Sequence, residues 1–433
     1  MQKTKLSPKF WAALTIFSFV GQVAWVVENM YFNVFIYKMF NASSGDISLM
    51  VAASAVAATL TTIFIGALSD KVGKRKLFIC VGYLVWGISI LSFAFIRMDV
   101  IESMFPAAVS AASVGVSLVI IMDCVMTFFG STANDACFNA WLTDSTDSTN
   151  RGSAEGINAM MPLVAILAVF GGFMGFDLDK AESWTTIFMI IGIAVSVIGV
   201  LGFFLIKEPE IDKTENGKYF ANIVYGFRPS VLKQNKTLYA CLLAFAVFGI
   251  SIQIFMPYLI LYYEVSLEMS NYVLVMAPAI IVAAVVTAFY GKFYDKVHFE
   301  KAIIPVLAML GFGYIILFLF RSTALVFVGS LLMMCGYISG MAVFGAVIRD
   351  YTPENRAGMF QGLRIVGQVL IPGIIGPAIG AAVLKNAEMI TNNDGTQSFI
   401  PNGNIFLAAL VAAICIMPIL LLISKLMKKE SIK

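Results

Sequence analysis

The chain has 433 residues, 60% of them hydrophobic and 13% charged; a soluble domain runs at roughly 45–50% apolar and about 25% charged, so a soluble globular protein is excluded. At about 20 apolar residues per bilayer-spanning helix, this length holds a dozen spans joined by short loops. The net charge of +3 reads as a topology signal and not as the footprint of a nucleic-acid partner.

Long apolar runs between charged or Gly/Pro punctuation predict twelve helices, near 10–37, 47–68, 77–96, 117–142, 157–176, 185–206, 237–263, 271–291, 302–320, 324–348, 358–384 and 403–425. The first follows Lys3, Lys5 and Lys9 as a signal peptide would, but it is long and has no small-residue cleavage site before Glu28. It is therefore expected to be an uncleaved first span. On it, Trp25, Glu28, Asn29, Phe32 and Asn33 fall at three- and four-residue spacing, which gathers an aromatic and polar stripe on one face. That face should line a cavity, with Glu28 either an intramembrane carboxylate or a gate residue near the outer end.

Helix 4 carries Asp123, Asn134, Asp135 and Asn139, and Ser131, Asp135 and Asn139 repeat at four-residue intervals. Asp135 stands nine residues before Asp144, roughly 13 Å in from that end at 1.5 Å per residue. Charge at that depth marks a pathway or a pair, although Asn and Ser also join membrane helices to one another. For Asp123 the packing reading is as good as the functional one. The longest polar stretch follows helix 6, so the expected domains are 1–206, a central linker 207–236, and 237–433.

Helix 7 supplies Gln253, Pro257 and Tyr258, for which binding and core packing are equally good readings. Helix 11 supplies Gln361, Arg364 and Gln368 on one face. An arginine there either pairs with a carboxylate, Asp135 or Glu28, or snorkels to the surface. The six cysteines lie in apolar runs away from His298, the sole histidine. They read as small hydrophobes, so no disulfide framework, metal centre, resident cofactor or catalytic residue is expected.

Placing both termini in the cytoplasm puts 24 of the 29 Lys and Arg on that side and leaves Lys38, Arg97, Lys180, Arg321 and Lys385 outside. The positive-inside rule favours that in-in topology, that of a multi-pass plasma-membrane protein. The chain also repeats itself. Gly66, Asp70 and Lys71 recur as Gly291, Asp295 and Lys296 at an offset of 225, and Asp144, Thr146, Gly152 and Gly156 recur as Asp350, Thr352, Gly358 and Gly362 at an offset of 206. Two related halves of six helices follow. The difference of 19 predicts extra chain in the first half near Asp99 to Leu118.

Gly66-Ala-Leu-Ser-Asp70-Lys-Val-Gly73-Lys-Arg75-Lys resembles the loop 2–3 signature of the major facilitator superfamily, and with its degenerate copy at Gly291 to Lys301 the likeness covers the whole chain. The resemblance implies an all-α membrane fold of two pseudo-symmetric six-helix bundles, a central cavity and alternating access. Gly66, Asp70, Gly73, Arg75, Asp144, Gly291, Asp295 and Asp350 would then form a cytoplasmic gate. More loosely, Asn134-Asp135-Ala-Cys-Phe-Asn139-Ala-Trp141 resembles the glycoside-pentoside-hexuronide:cation symporters, in which an acidic residue at this point contacts the sugar. That likeness implies sugar contact by Asp135. Those symporters carry an acidic pair on helix 2 where this chain has Ala58 and Thr62, and an aspartate on helix 1 where it has Gln22.

The function expected is a monomeric carrier in the lipid bilayer that moves a small polar solute, a sugar or glycoside, coupled to a proton or sodium gradient. Trp25, Asn29, Asn33, Asn134, Asp135, Asn139, Gln253, Tyr258 and Gln368 would bind the solute, and Glu28, Asp135 and Arg364 would carry the coupling charge. The alternative is a proton-coupled exporter of lipophilic compounds. Exporters of that kind usually show a Gly-Pro motif on helix 5, and here Gly376-Pro377 sits on helix 11. An intramembrane enzyme would need a nucleophile with its base, or a metal cluster, and the sequence offers neither.

Overall fold

The computed structural model describes residues 6–106, 110–147, 150–209, 225–353, 357–392 and 395–431. Lys3, Lys5, Lys213, Lys218, Arg356 and Lys433, which count towards the charge bias, lie outside them, as does half of the expected central linker.

Eleven helical stretches among the described residues are long and apolar enough to cross a membrane: Pro8–Phe40, Ser44–Val72, Arg75–Phe93, Ala111–Asp144, Arg151–Phe173, Ala181–Leu205, Lys236–Ser266, Val273–Leu319, Thr323–Tyr351, Gly362–Leu384 and Asn404–Lys429. The longest is two helices divided at His298, whose φ of 57° and ψ of 178° are not helical. The Tyr290 hydroxyl donates to the Ala302 carbonyl at 2.7 Å; twelve residues of straight helix would hold them about 18 Å apart. The chain therefore turns sharply at His298, and helices 8 and 9 complete the twelve. The expected ten-residue loop between them is replaced by a single non-helical residue.

Helix ends follow local chemistry. Helix 1 begins with Ser7 accepting the Phe10 N–H and Pro8 in the first turn, where the missing proline N–H costs nothing; it ends at Asn41 in the left-handed region. At the start of helix 2, Ser43 Oγ accepts the Asp46 N–H while Asp46 accepts the Ser43 N–H, a reciprocal cap that satisfies two otherwise orphaned donors. Helix 2 closes on Gly73, φ 69°, a conformation glycine adopts without a Cβ penalty. Arg151 donates to the carbonyls of Thr143 and Thr146 and so caps the end of helix 4.

Internal contacts divide the chain into two units, Met1–Ala42 with Ala53–Phe220 and Ser43–Ala52 with Ala221–Lys433. In the first, helix 3 lies so close to helix 6 that a Cβ on Gly199 would meet Leu84 N at 2.4 Å. Small residues of this kind bring membrane helices into van der Waals contact, which replaces the missing hydrophobic drive between them. Phe32, Phe35, Phe93, Trp184 and Phe188 form one aromatic cluster in this unit. In the second unit, Phe255, Tyr262, Tyr314 and Phe406 form another. Large apolar side chains such as Phe204, Phe289 and Leu421 remain exposed along the spans, as a lipid-facing surface requires.

The extra chain of the first half forms a short helix, Met98–Met104, and an early start of helix 4 at Ala111. Arg97 hydrogen-bonds Asp99 in the first turn of that short helix and holds its carboxyl below the ordinary value. Between helices 11 and 12, where no element is expected from the sequence, the chain forms a small antiparallel hairpin, Met389–Thr391 with Gln397–Phe399.

Candidate functional site

Three spans are interrupted by π-helical turns, Val27–Tyr31 in helix 1, Ser131–Phe138 in helix 4 and Val366–Leu370 in helix 11, and helix 7 ends in a fourth, Tyr262–Ser266. Such turns loosen the backbone ladder and gather at functional positions. Here they coincide with Glu28 and Asn29, with Asn134 and Asp135, and with Gln368. Two of the loosened carbonyls are taken up by side chains, since Asn29 Nδ2 donates to Trp25 O at 2.7 Å and Asn139 Nδ2 donates to Asp135 O at 3.1 Å.

Glu28 is buried. Ser54 Oγ donates to its Oε1 at 2.7 Å, Thr127 Oγ1 donates to the same oxygen at 2.9 Å, and the two hydroxyls lie 2.9 Å apart. Helices 1, 2 and 4 thus meet on one carboxyl group, at residues well inside each span. Lys38, ten residues on, pairs instead with Asp179 at 3.0 Å. Glu28 is an interior carboxylate in this structure, not one reaching an outer surface.

Asp135 is half-buried; Ser131 Oγ donates to its Oδ2 at 3.0 Å and Asn134 Nδ2 reaches its Oδ1 at 3.5 Å. The Trp25 indole lies beside it and stacks obliquely on Trp86 at 5.0 Å. Asn29 and Asn139 are exposed on helices 1 and 4. These four residues present an aromatic ring, a carboxylate and two amides on the open side of the first unit.

The other expected contacts are already engaged. Asn134 is buried and accepts from the Tyr83 hydroxyl at 3.0 Å, which fixes it against helix 3. Asn33 is buried and donates to the Asn29 carbonyl. Tyr258 is buried, with its hydroxyl donating to the Ser44 carbonyl at 2.9 Å. Gln253 is half-buried beside Gly376, where a Cβ would meet the Gln253 Cβ at 2.4 Å; the Gly376-Pro377 pair thus seats helix 11 against helix 7. Gln368 Oε1 accepts from Arg364 Nε at 3.0 Å. Arg364 belongs to the second unit, and Glu28 and Asp135 to the first.

At the end of the molecule that bears the basic loops, Arg75 is buried and takes three partners. It donates from Nε to Asp144 Oδ2 at 3.0 Å, and it bonds Asp70 and Ser69. Asp70, Arg75 and Asp144 are therefore brought together, with Ser69 an addition that the sequence did not single out. Gly66 lies against Ala136 of helix 4. In the second half, Tyr294 donates to Asp350 Oδ2 at 2.6 Å, while Asp295 is exposed and Gly291 stands open.

The family model described as Major Facilitator Superfamily matches residues 12–377. A curated relative, sugar efflux transporter B of Salmonella typhimurium, is 22% identical over 200 residues, and the match spans under half of either chain, 46% of each. Among solved structures, a bacterial homologue of the human lysosomal transporter Spinster in an inward-facing, unoccupied conformation aligns over 97% of this chain and 98% of its own, with a TM-score of 0.69 and 16% identity. The xylose transporter XylE from E. coli, partially occluded and inward-open, aligns over 94% of this chain and 97% of its own at a TM-score of 0.67 and 13% identity.

Proposed function

The chain belongs to the Major Facilitator Superfamily of transporters, and from that premise we propose that it is a secondary active carrier of a sugar or glycoside, coupled to a cation gradient. The observation that carries this reading is the open face of the first unit, where Trp25, Asn29, Asp135 and Asn139 lie together on helices 1 and 4. A ring that can stack on a pyranose, beside a carboxylate and amides that accept and donate, suits a hydroxyl-rich solute. The helix-4 resemblance to glycoside-pentoside-hexuronide symporters and the printed name of the Salmonella relative point the same way. That name also favours a second reading of direction, export of the sugar in place of uptake.

Glu28 is the coupling carboxylate in this proposal. Arg364, whose Nε donates to Gln368, is the cationic member of the coupling set in this proposal, since a guanidinium is cationic at any workable pH. Both termini and the Arg75 latch lie in the cytoplasm, following the bias of basic residues, and the carrier works as a monomer in the plasma membrane. The latch holds one side of the cavity closed and releases as the halves rock.

The test is transport by the purified chain in proteoliposomes, offered a panel of labelled sugars under imposed sodium or proton gradients. At least one sugar is expected to accumulate. Asp135→Ala and Asn139→Ala should each weaken its binding by about 1–3 kcal/mol, the cost of leaving a hydrogen-bonding partner unpaired. Movement of lipophilic cations with no sugar moved would favour the exporter alternative and end this reading.

A further inference from the structure

Asp123 sits four residues before Thr127 on helix 4, so the two side chains share a face one turn apart. Thr127 is fully buried and bonded to Glu28, and Asp123 is only 2% exposed. The Ser54 hydroxyl, already bonded to Glu28 and Thr127, also lies within reach of Asp123. Two carboxyl groups and two hydroxyl groups from helices 1, 2 and 4 thus converge in the middle of the first unit.

The inventory of protons at this point is short. Ser54 and Thr127 supply one hydroxyl proton each, against four carboxyl oxygens. Two of those oxygens, Glu28 Oε2 and Asp123 Oδ1, are buried with no hydrogen-bond partner. Neither carboxyl group makes an ion pair among the described residues. The other titratable side chains near them are Asp135 and Cys124, which bring no positive charge. A surplus of buried acceptors without a countercharge is unfavourable unless protons or a cation sit among them.

We propose that Glu28, Asp123, Ser54 and Thr127 form a binding site for one sodium ion, the ion whose gradient drives the carrier. The number of oxygens argues for a metal ion over a proton, since a single proton needs one or two oxygens and gains nothing from hydroxyl groups gathered from two further helices. Hard oxygen ligands suit a hard cation. Ser54, the one partly exposed member of the four, gives the ion its way in. Helix 1 carries Glu28 and, one turn before it, Trp25, so an ion at Glu28 adjoins the proposed sugar face, whose Asn29 shares the π-helical turn Val27–Tyr31 with Glu28. The site rests on the reading of Glu28 as the coupling carboxylate and gives it a partner, Asp123.

The test is thermal unfolding of the purified full-length chain in detergent, with sodium, potassium or choline chloride at equal ionic strength and no sugar present. Sodium should raise Tm saturably by about 3 °C, potassium and choline should not, and the effect should shrink at acidic pH as protons compete for the carboxylates. Glu28→Gln and Asp123→Asn should each abolish the sodium response. Ser54→Ala, which leaves both carboxyl groups in place, should weaken apparent sodium affinity about tenfold, so the claim stays testable if a charge variant fails to fold. Equal Tm in sodium and potassium for the wild type, or a sodium response that survives Asp123→Asn, overturns the site. A wild type indifferent to sodium that still accumulates sugar on a proton gradient would overturn this site alone and leave the transport reading standing.

Discussion

Gly73 and His298 stand 225 residues apart, at the same point of the internal repeat, and both are held at positive φ, 69° and 57°. Around that shared turn the chemistry differs. Ser69, Arg75 and Asp144 of the first half correspond by the same offsets to Tyr294, Glu300 and Asp350 of the second. The first half closes with a buried guanidinium that ties together three side chains from the ends of helices 2 and 4, and among the described residues the second closes with one phenol on one carboxylate. The repeat preserves the backbone path between paired helices, while the fastening has become ionic in one half and a single hydrogen bond in the other. The first is expected to respond more strongly to the charge of its members, because two carboxylates share one cation there.

Replacing the two fasteners side by side gives the largest contrast. Arg75→Ala leaves Asp70 and Asp144 without their cation; removing one partner of a buried pair costs about 3–5 kcal/mol, reduced here to about 2–3 kcal/mol because the Asp70 side chain is half exposed and that of Asp144 a quarter exposed. Tyr294→Phe removes one hydrogen bond to a charged acceptor and should cost about 1–2 kcal/mol. Chemical denaturation of the two variants in the same detergent measures the difference. Equal losses would mean that the two halves are fastened alike.

The smallest effect concerns the turn itself. A residue with a Cβ in the left-handed region costs about 1–2 kcal/mol, partly offset in glycine by its greater freedom when unfolded. His298→Gly should therefore stabilise by about 0.5–1 kcal/mol and Gly73→His destabilise by a similar amount. A loss on His298→Gly would show that the imidazole has a role beyond completing the turn.

The repeat and the spans were legible because the constraints behind them are strong. A bilayer demands about 20 apolar residues per helix, and charged loops punctuate them, so the helix boundaries fell within a few residues of those found. Asp70 and Arg75 were legible from the loop signature and Asp144 from the internal repeat. The π-helical turns were not, because one extra residue in a turn leaves no mark on composition. They decide which side chains face outwards, and so Asn134 was read with Asp135 as lining a cavity although it bonds Tyr83 on helix 3. Ser54 escaped notice as one hydroxyl in a run of small apolar residues, and its importance appears only when helices 1 and 4 are set beside it. The hairpin at Met389–Thr391 and Gln397–Phe399 has three-residue strands, too short to show an alternating pattern. Glu28 was recognised, yet its ten-residue distance from Lys38 left a gate at the outer end open, where tertiary contacts enclose it.

The central claim is that Glu28 carries the coupling charge while the sugar is held elsewhere on helices 1 and 4. The direct measurement is transport by Glu28→Gln in proteoliposomes, comparing accumulation driven by an ion gradient with exchange of labelled for unlabelled sugar at equal concentrations on both sides. The account predicts that accumulation is lost and exchange persists at close to the wild-type rate, since amide and carboxyl have the same shape and the sugar face at Asp135 is untouched. Accumulation of the sugar against its gradient by Glu28→Gln would contradict it.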